Sequence, residues 1–295
     1  MARTATMAPA AKRSRVRPGP IVNRVLLYVI AASLVCLLMG PFLWTIASSL
    51  KDTKEIAQFP PILFPERARF ENYAEVFRMV PMWSFIRNTV QVSVLAVFAQ
   101  VISATLVAYG FSRFRFPGRD LLFMVLISTL ILPREVLLIP SFLLFKYLGM
   151  INTLTPLWAP SLFGGAFYVF LLRQFFFTLP RDLDEAAKID GANSLQILWQ
   201  VLMPLCQPAM ATVAIFSFLP HWNEYLEALI YLSSKENFTL AVGLRFFQQI
   251  PNDAQEPRDQ LLMAAALIMT APVLLLFFTA QRYFIRGIVM SGIKG

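Results

Sequence analysis

Histidine is almost missing from this chain: His221 stands alone in 295 residues. One imidazole cannot build a His-based metal cluster, and a Ser-His-Asp relay has a single candidate base, so no catalytic set emerges. Cysteine is nearly as scarce. Cys36 lies inside one long apolar run and Cys206 at the edge of another, places that suit packing thiols rather than a disulfide or metal cluster. No G-x-x-x-x-G-K-[ST] phosphate loop occurs, so ATP is not bound by that route and any energy source is a gradient or another polypeptide. Charge is thin as well, at 15% of residues against 57% hydrophobic and 27 Phe. A soluble domain of this length has too little interior to hide that much apolar surface.

What is present is apolar sequence in blocks. A run of about 18 or more uncharged residues is long enough to cross a hydrocarbon core, and lipid forces such a run to be helical because water cannot satisfy its backbone. Six runs qualify: Val25 to Leu50, Thr89 to Phe111, Leu121 to Pro140 (interrupted by Arg134 and Glu135), Leu154 to Leu172, Ala209 to Leu232 and Leu261 to Ala280. The expected fold is an all-α membrane protein with six transmembrane helices, one transmembrane domain over 25–295.

The first run is too long for a signal-peptide core and ends in Ser-Leu-Lys without a small-residue cleavage site, so it reads as an uncleaved anchor. The arm before it, 1–24, has six Lys/Arg, three Pro and no acid, and reads as a disordered basic cytoplasmic arm rather than a nucleic-acid site. With the N-terminus inside, the inner segments (1–24, 112–120, 173–208, 281–295) hold 15 Lys/Arg against 5 acids, and the outer segments 10 against 9. This asymmetry favours an N-in, C-in arrangement in a cell membrane, and makes the net charge of +9 an orientation signal.

One inner segment stands out. In "DEAAKIDGANSLQILWQVLMP", Asp184 to Pro204, Pro180 stops the helix before, Asp182 or Asp184 can cap a new one, and Glu185 sits near its positive end. Ala186 and Ala187 favour helix with little bulk, and Gly191 permits a turn that other residues resist. Asn193 with Gln196 forms a capping-box pattern, after which Leu195, Leu198 and Leu202 fall on one stripe until Pro204. The residues alone leave two readings open: a helix that docks a partner through a bare Ala-Ala face with Glu185 and Asp190 at its rim, or a solvated connector.

The spacing adds to this. Glu185-Ala186-Ala187, then Gly191 after three residues, then Val201-x-Met203-Pro204 after nine more, resembles the EAA signature of ABC importer permeases, with Val and Met in place of the family's Ile and Leu. "EVLLIPSFLLFKYLGMINT" from Glu135, "WNEYLEALIYL" from Trp222, "LLMAAALIMTAPVLLLFFTAQRYFIRGI" from Leu261 and the closing "SGIKG" are similar to MalG-like permeases of carbohydrate-uptake importers. The resemblance runs over residues 25–295 and implies a type I importer permease fold with a cytoplasmic coupling helix. It implies that Glu185, Ala186, Ala187, Asp190, Gly191, Ala192 and Pro204 couple to an ATPase. It further implies a second homologous permease, an ATPase dimer holding the ATP and Mg, and an extracytoplasmic solute-binding protein as partners. This chain itself would carry no cofactor and no catalysis. The solute would be a disaccharide, an oligosaccharide or a glycerol phosphate. The tail Ser291 to Gly295 resembles one that reaches the ATPase interface, and Pro251 to Pro257 one that looks towards the binding protein.

A second polar island, His221-Trp222-Asn223-Glu224 with Glu227, falls inside the fifth run, where ionisable groups are expensive and default to a functional role. On a continuous helix Glu224 and Glu227 share a face. Trp222, Asn223, Glu224 and Glu227 are thus candidates for a solute pathway, with Trp222 or Tyr225 stacking on a sugar ring, or for a gate or helix contact. At the third run Pro133 is expected to break the helix and leave Arg134 and Glu135 to meet water or another helix. Ala104 and Ala108, like Gly164 and Gly165, suit close crossings. A gradient-driven transporter or channel remains the alternative, but it predicts internal repeats that the two halves do not display and gives the EAA stretch no role. A membrane-embedded enzyme would need the catalytic cluster that is missing.

Overall fold

The computed structural model describes residues 19–249 and 258–292, all of them in helices or loops. In order these are α1 (Gly19–Ser49), α2 (Thr53–Ile56), α3 (Glu71–Met79), α4 (Met82–Arg113), α5 (Arg119–Ser128), α6 (Arg134–Tyr147), α7 (Thr155–Trp158), α8 (Ala166–Thr178), α9 (Asp182–Ile189), α10 (Ser194–Gln196), α11 (Met203–Leu205), α12 (Gln207–Trp222), α13 (Leu226–Tyr231), α14 (Leu240–Gln249) and α15 (Asp259–Gly292). A π-helical turn, Ile197–Leu202, joins α10 to α11. The arm 1–18, the stretch Pro251 to Pro257 and residues 293–295 lie outside the described residues.

Four stretches have the length and hydropathy of membrane spans: Asn23–Ser49, Met82–Arg113, Thr155–Thr178 and Asp259–Gln281. Two more paths are bent, Arg119–Ile131 meeting Arg134–Tyr147 at 102° and Ser194–Leu205 meeting Gln207–Trp222 at 83°. Four to six crossings are therefore available. The helices overrun the expected boundaries. The first begins at Gly19 rather than Val25, the second at Met82 rather than Thr89, the fourth runs to Thr178 past Leu172, and the last to Gly292 past Ala280. An uncharged run stops at the first charge. A helix does not, because Arg24, Arg87 and Arg173 can keep the backbone bonded while their heads reach out of the apolar zone.

The third path breaks where Pro133 is expected to break it. The run 121–140 is two half-helices, because Leu132 (φ −76°, ψ 119°) and Pro133 (φ −61°, ψ 136°) are extended. The residue before a proline is pushed out of the helical region, so Leu132-Pro133 ends one helix and lets the next start at Arg134. The fifth path is also broken: α12 stops at Trp222, and α13 does not begin until Leu226.

Two ends of the bundle are packed differently. At one end α4, α8, the π turn and the start of α12 share a core of Ala104, Ala108, Val169, Leu172, Phe176, Leu198, Leu202 and Val213. Gly164 (φ +66°) opens α8, and a Cβ there would lie 3.6 Å from the Ala104 backbone N, so the close crossing expected of these small residues is present. At the other end Val76, Met82 and Phe85 pack with Trp222, Leu240, Leu261 and Ala264. There Gly243 comes so close to the Phe85 ring that a Cβ would fall 2.3 Å from it.

The connection 50–81 is ordered. Asn72 Nδ2 donates to the carbonyls of Ser49 and Lys51, both at 2.9 Å, and Asp52 with Glu55 makes a complete capping box. Lys51 is buried, with Nζ donating to the Ile62 carbonyl at 2.6 Å and lying 4.0 Å from the Trp44 ring centre. Burial pulls its pKa down, an effect that Glu55 partly opposes. By contrast α1 leaves its apolar side chains uncovered, Leu37 at 74% exposure among them, a surface that lipid or a further chain must cover.

Candidate functional site

The stretch 182–205 is built as a protruding turn on a fixed base. α9 ends in a Schellman motif: Ala192 N donates to Ala187 O at 2.9 Å and Gly191 N to Lys188 O at 3.0 Å, with Gly191 at φ +86°. Asn193 then caps the next segment reciprocally, its Oδ1 accepting from Gln196 N at 3.0 Å and its N donating to Gln196 Oε1 at 2.7 Å. The glycine turn and the capping box are thus where the residues placed them. The helix N-cap is not, since α9 starts after Arg181, without a side-chain cap.

The faces also differ from the expected Ala-Ala surface. Glu185, Ala186, Asp190 and Gly191 are exposed together at the tip, whereas Ala187 and Ala192 pack against the core beneath. At 100° per residue, the helix that turns Leu183 and Ala187 inward must turn Glu185 and Ala186 out. Ile189, 86% exposed beside them, is an apolar tip residue that the sequence did not single out. The expected Leu195–Leu198–Leu202 stripe is broken as well. Leu195 is 59% exposed, and Ile197 is buried with Leu198 and Leu202 because the wider π turn rotates the register. Pro204, exposed, sits in the first turn of α11, where its missing N–H costs no bond.

Two polar ties hold this tip to α4. Arg113 Nε lies 3.3 Å from Asp184 Oδ2, with side chains only 6% and 11% exposed. The atoms are not aligned as a hydrogen bond, so the attraction is electrostatic; Arg113 also donates through Nη2 to the Leu179 carbonyl at 3.2 Å. Tyr109 Oη donates to the Ser194 carbonyl at 3.1 Å. Arg113 was missed as a partner because nothing in its local sequence points to a residue so far along the chain.

The second polar site joins the two broken paths. Arg134, the first residue of α6, pairs with Glu227 at 2.9 Å and lies 3.8 Å from Glu224. Glu224 Oε1 accepts from Glu227 N at 2.9 Å, bracing the start of α13. The expectation of one continuous helical face through Glu224 and Glu227 is corrected, since the chain breaks between them and it is Arg134 that brings them together. Asn223 is exposed and donates to the Leu219 carbonyl at 2.9 Å. Trp222 is not on the accessible side at all. It is 3% exposed, stacks on Phe218 with centroids 5.2 Å apart and donates from Nε1 to Met269 O at 3.0 Å, so its ring is part of the core and cannot stack on a solute here. His221 is held by Ser217 O at 2.7 Å and Ser161 Oγ at 3.3 Å, a satisfied structural imidazole.

Residues 100–290 match the family of binding-protein-dependent transport system inner membrane components. The chain is 31% identical over 277 residues to an inner membrane ABC transporter permease of Escherichia coli (strain K12), covering 93% of this chain and 98% of that protein. It is 34% identical over 253 residues to the diacetylchitobiose uptake system permease of Streptomyces coelicolor, with 85% and 82% covered. Among solved structures it is similar to a chain of a bacterial ABC transporter involved in the import of the acidic polysaccharide alginate, at TM-score 0.79 and 27% identity, covering 94% of this chain and all of that one. The EAA spacing, the apolar helices and these matches agree: the chain belongs to the binding-protein-dependent transport system inner membrane component family, as an ABC transporter permease of the inner membrane.

Proposed function

We propose that this chain is a transmembrane subunit of an ATP-driven importer of sugars or oligosaccharides, with six crossings and both termini inside. The carrying observation is the exposed tip Glu185-Ala186 with Asp190-Gly191, mounted on a base that Arg113 and Tyr109 tie to α4. Such a tip can enter a cleft on an ATPase subunit, with small residues for close approach and carboxylates for orientation. Movement of the tip is passed to α4 by the buried ties and to α12 through the 83° elbow. The sugar assignment rests on relatives whose names carry diacetylchitobiose, arabinooligosaccharides and galactooligosaccharides, and on the alginate importer.

In this reading a second, homologous permease covers part of the exposed apolar surface. Two ATPase subunits hold ATP and Mg, and an extracytoplasmic binding protein delivers the solute, as in the alginate transporter solved with its sugar-bound periplasmic protein. ATP closes the ATPase pair, the tips move together, and the pathway opens outward. The Arg134–Glu224–Glu227 cluster sits where two paths are broken, and there it acts as a gate or contact along the solute route. Nothing is hydrolysed by this chain itself.

Reconstituted transport tests this directly. Glu185→Lys reverses the charge of an exposed tip residue and is expected to abolish uptake and uncouple ATP hydrolysis from solute, while insertion and assembly persist. Unchanged uptake in that variant, or wild-type uptake in vesicles without any ATPase, would sink the reading.

A further inference from the structure

Three helix ends meet at one level of the bundle: the end of α4, the start of α5 and the end of α8. Between them lies a cavity of about 510 Å³ lined by Arg115, Arg119, Arg181, Phe116, Phe177 and Asp120 among others. Its polar wall is basic. Asp120 is already engaged by Arg119, with Oδ1 2.9 Å from both Nε and Nη2. No carboxylate among the described residues pairs with Arg115 or Arg181, so two guanidinium groups face the opening without a counter-charge. The rest of the lining is apolar and uncovered, Phe116 being 39% and Phe177 43% exposed.

We propose that this cavity is a binding site for the headgroup of an anionic glycerophospholipid. Arg115 and Arg181 are exposed and offer an anionic group two guanidinium partners, while an apolar part of the same occupant would cover Phe116 and Phe177. A lipid phosphodiester with its acyl chains supplies both, and the position at the ends of three apolar helices is where such a headgroup resides. Guanidinium groups bind phosphate oxygens in pairs, which favours arginine over lysine at such a wall. Arg173 reinforces the site from behind, its guanidinium 3.9 Å from the Phe123 ring centre and 4.6 Å from that of Phe177. The proposal needs only that this end of the bundle meets the membrane boundary; the coupling role of the neighbouring tip is independent of it.

The test is lipid retention by the full-length chain, in the complex it forms in the membrane, purified in mild detergent and read by native mass spectrometry after exchange into mixed phosphatidylglycerol and phosphatidylcholine. Wild type is expected to retain phosphatidylglycerol selectively. Arg115→Gln with Arg181→Gln should weaken that retention by roughly twenty-five-fold, at about fivefold for each basic residue. Arg115→Gln alone, expected near fivefold, serves if the double variant does not assemble. Equal retention by variant and wild type overturns the proposal. So does displacement of the lipid by inorganic phosphate alone, or a variant that keeps its lipid but sheds a protein subunit, which would assign the cavity to a protein interface. Because transport is not measured, loss of the coupling reading would leave this result standing.

Discussion

Two ion-pair sites of this permease are built in opposite ways. Arg113 and Asp184 form a closed pair, 6% and 11% exposed, between the end of one long helix and the base of the protruding tip. Arg134 is 65% exposed and shared by two carboxylates, Glu224 and Glu227, that are 16% and 22% exposed. A closed pair has neither water nor spare valence with which to respond to a solute, so its work is to keep two elements moving as one. An open triad with one cation and two anions keeps a surplus negative charge and a solvated arginine, which a passing solute or a changed helix angle can redistribute. In the proposed function, rigid linkage is the role of the first site and response to solute the role of the second.

That contrast is easiest to break at Arg113. Arg113→Ala strands a buried carboxylate, and a destabilisation of about 3–5 kcal/mol is expected, read as a lowered unfolding temperature in detergent and poor assembly. Asp184→Asn leaves the buried Arg113 cation without its carboxylate, and a loss of comparable size is expected. Tolerance of Arg113→Ala would reduce the closed pair to an ordinary surface contact.

Next in size is the turn that presents the tip. Gly191→Ala forces a side chain into φ +86°, and a penalty of about 1–2 kcal/mol is expected, with uptake falling more than stability. Asn193→Ala deletes the reciprocal cap beside it, with an expected loss of about 1 kcal/mol, seen as faster hydrogen exchange confined to residues near 193–197.

The smallest stability effect is expected where the contrast is sharpest. Arg134→Gln should change unfolding by less than about 1 kcal/mol, since its side chain is largely solvated. It should nonetheless alter solute uptake, measured as initial rate in vesicles at fixed ATPase content. A large stability loss with unchanged uptake would turn the open triad into a second structural tie and erase the distinction.

Much of this was legible in the order of residues. Uncharged runs marked the apolar helices, Gly191 and the Asn193/Gln196 pair marked the turn and its cap, and Pro133 marked the break in the third path. What stayed hidden has a common physical source: it depends on partners distant in sequence. Asp184 read as a helix-capping residue because its Arg113 partner belongs to another helix. Trp222 read either as a ring open to solute or as a helix contact, and burial against Phe218 and Met269, a packing fact, decides for the contact. The start of α4 was placed late in part because Asn88 is polar in sequence yet buried in space, donating from Nδ2 to the carbonyls of Glu236 and Phe238 at 2.7 and 3.0 Å. The π turn left no signal in the spacing of the leucines it displaced.

The length of α15 has a mechanical consequence. Its 34 residues at about 1.5 Å each make a rod of roughly 51 Å, against a hydrocarbon slab of about 30 Å. Leu261 and Ala264 hold one end of that rod in the same core as α3 and α14, and α1 packs along it, so the pair behaves like the long arm of a beam fixed near one support. A tilt of a few degrees at the clamp becomes a sideways sweep of several ångströms at Gly292, by geometry alone. Pro272, inside the rod, is the natural place for the beam to flex.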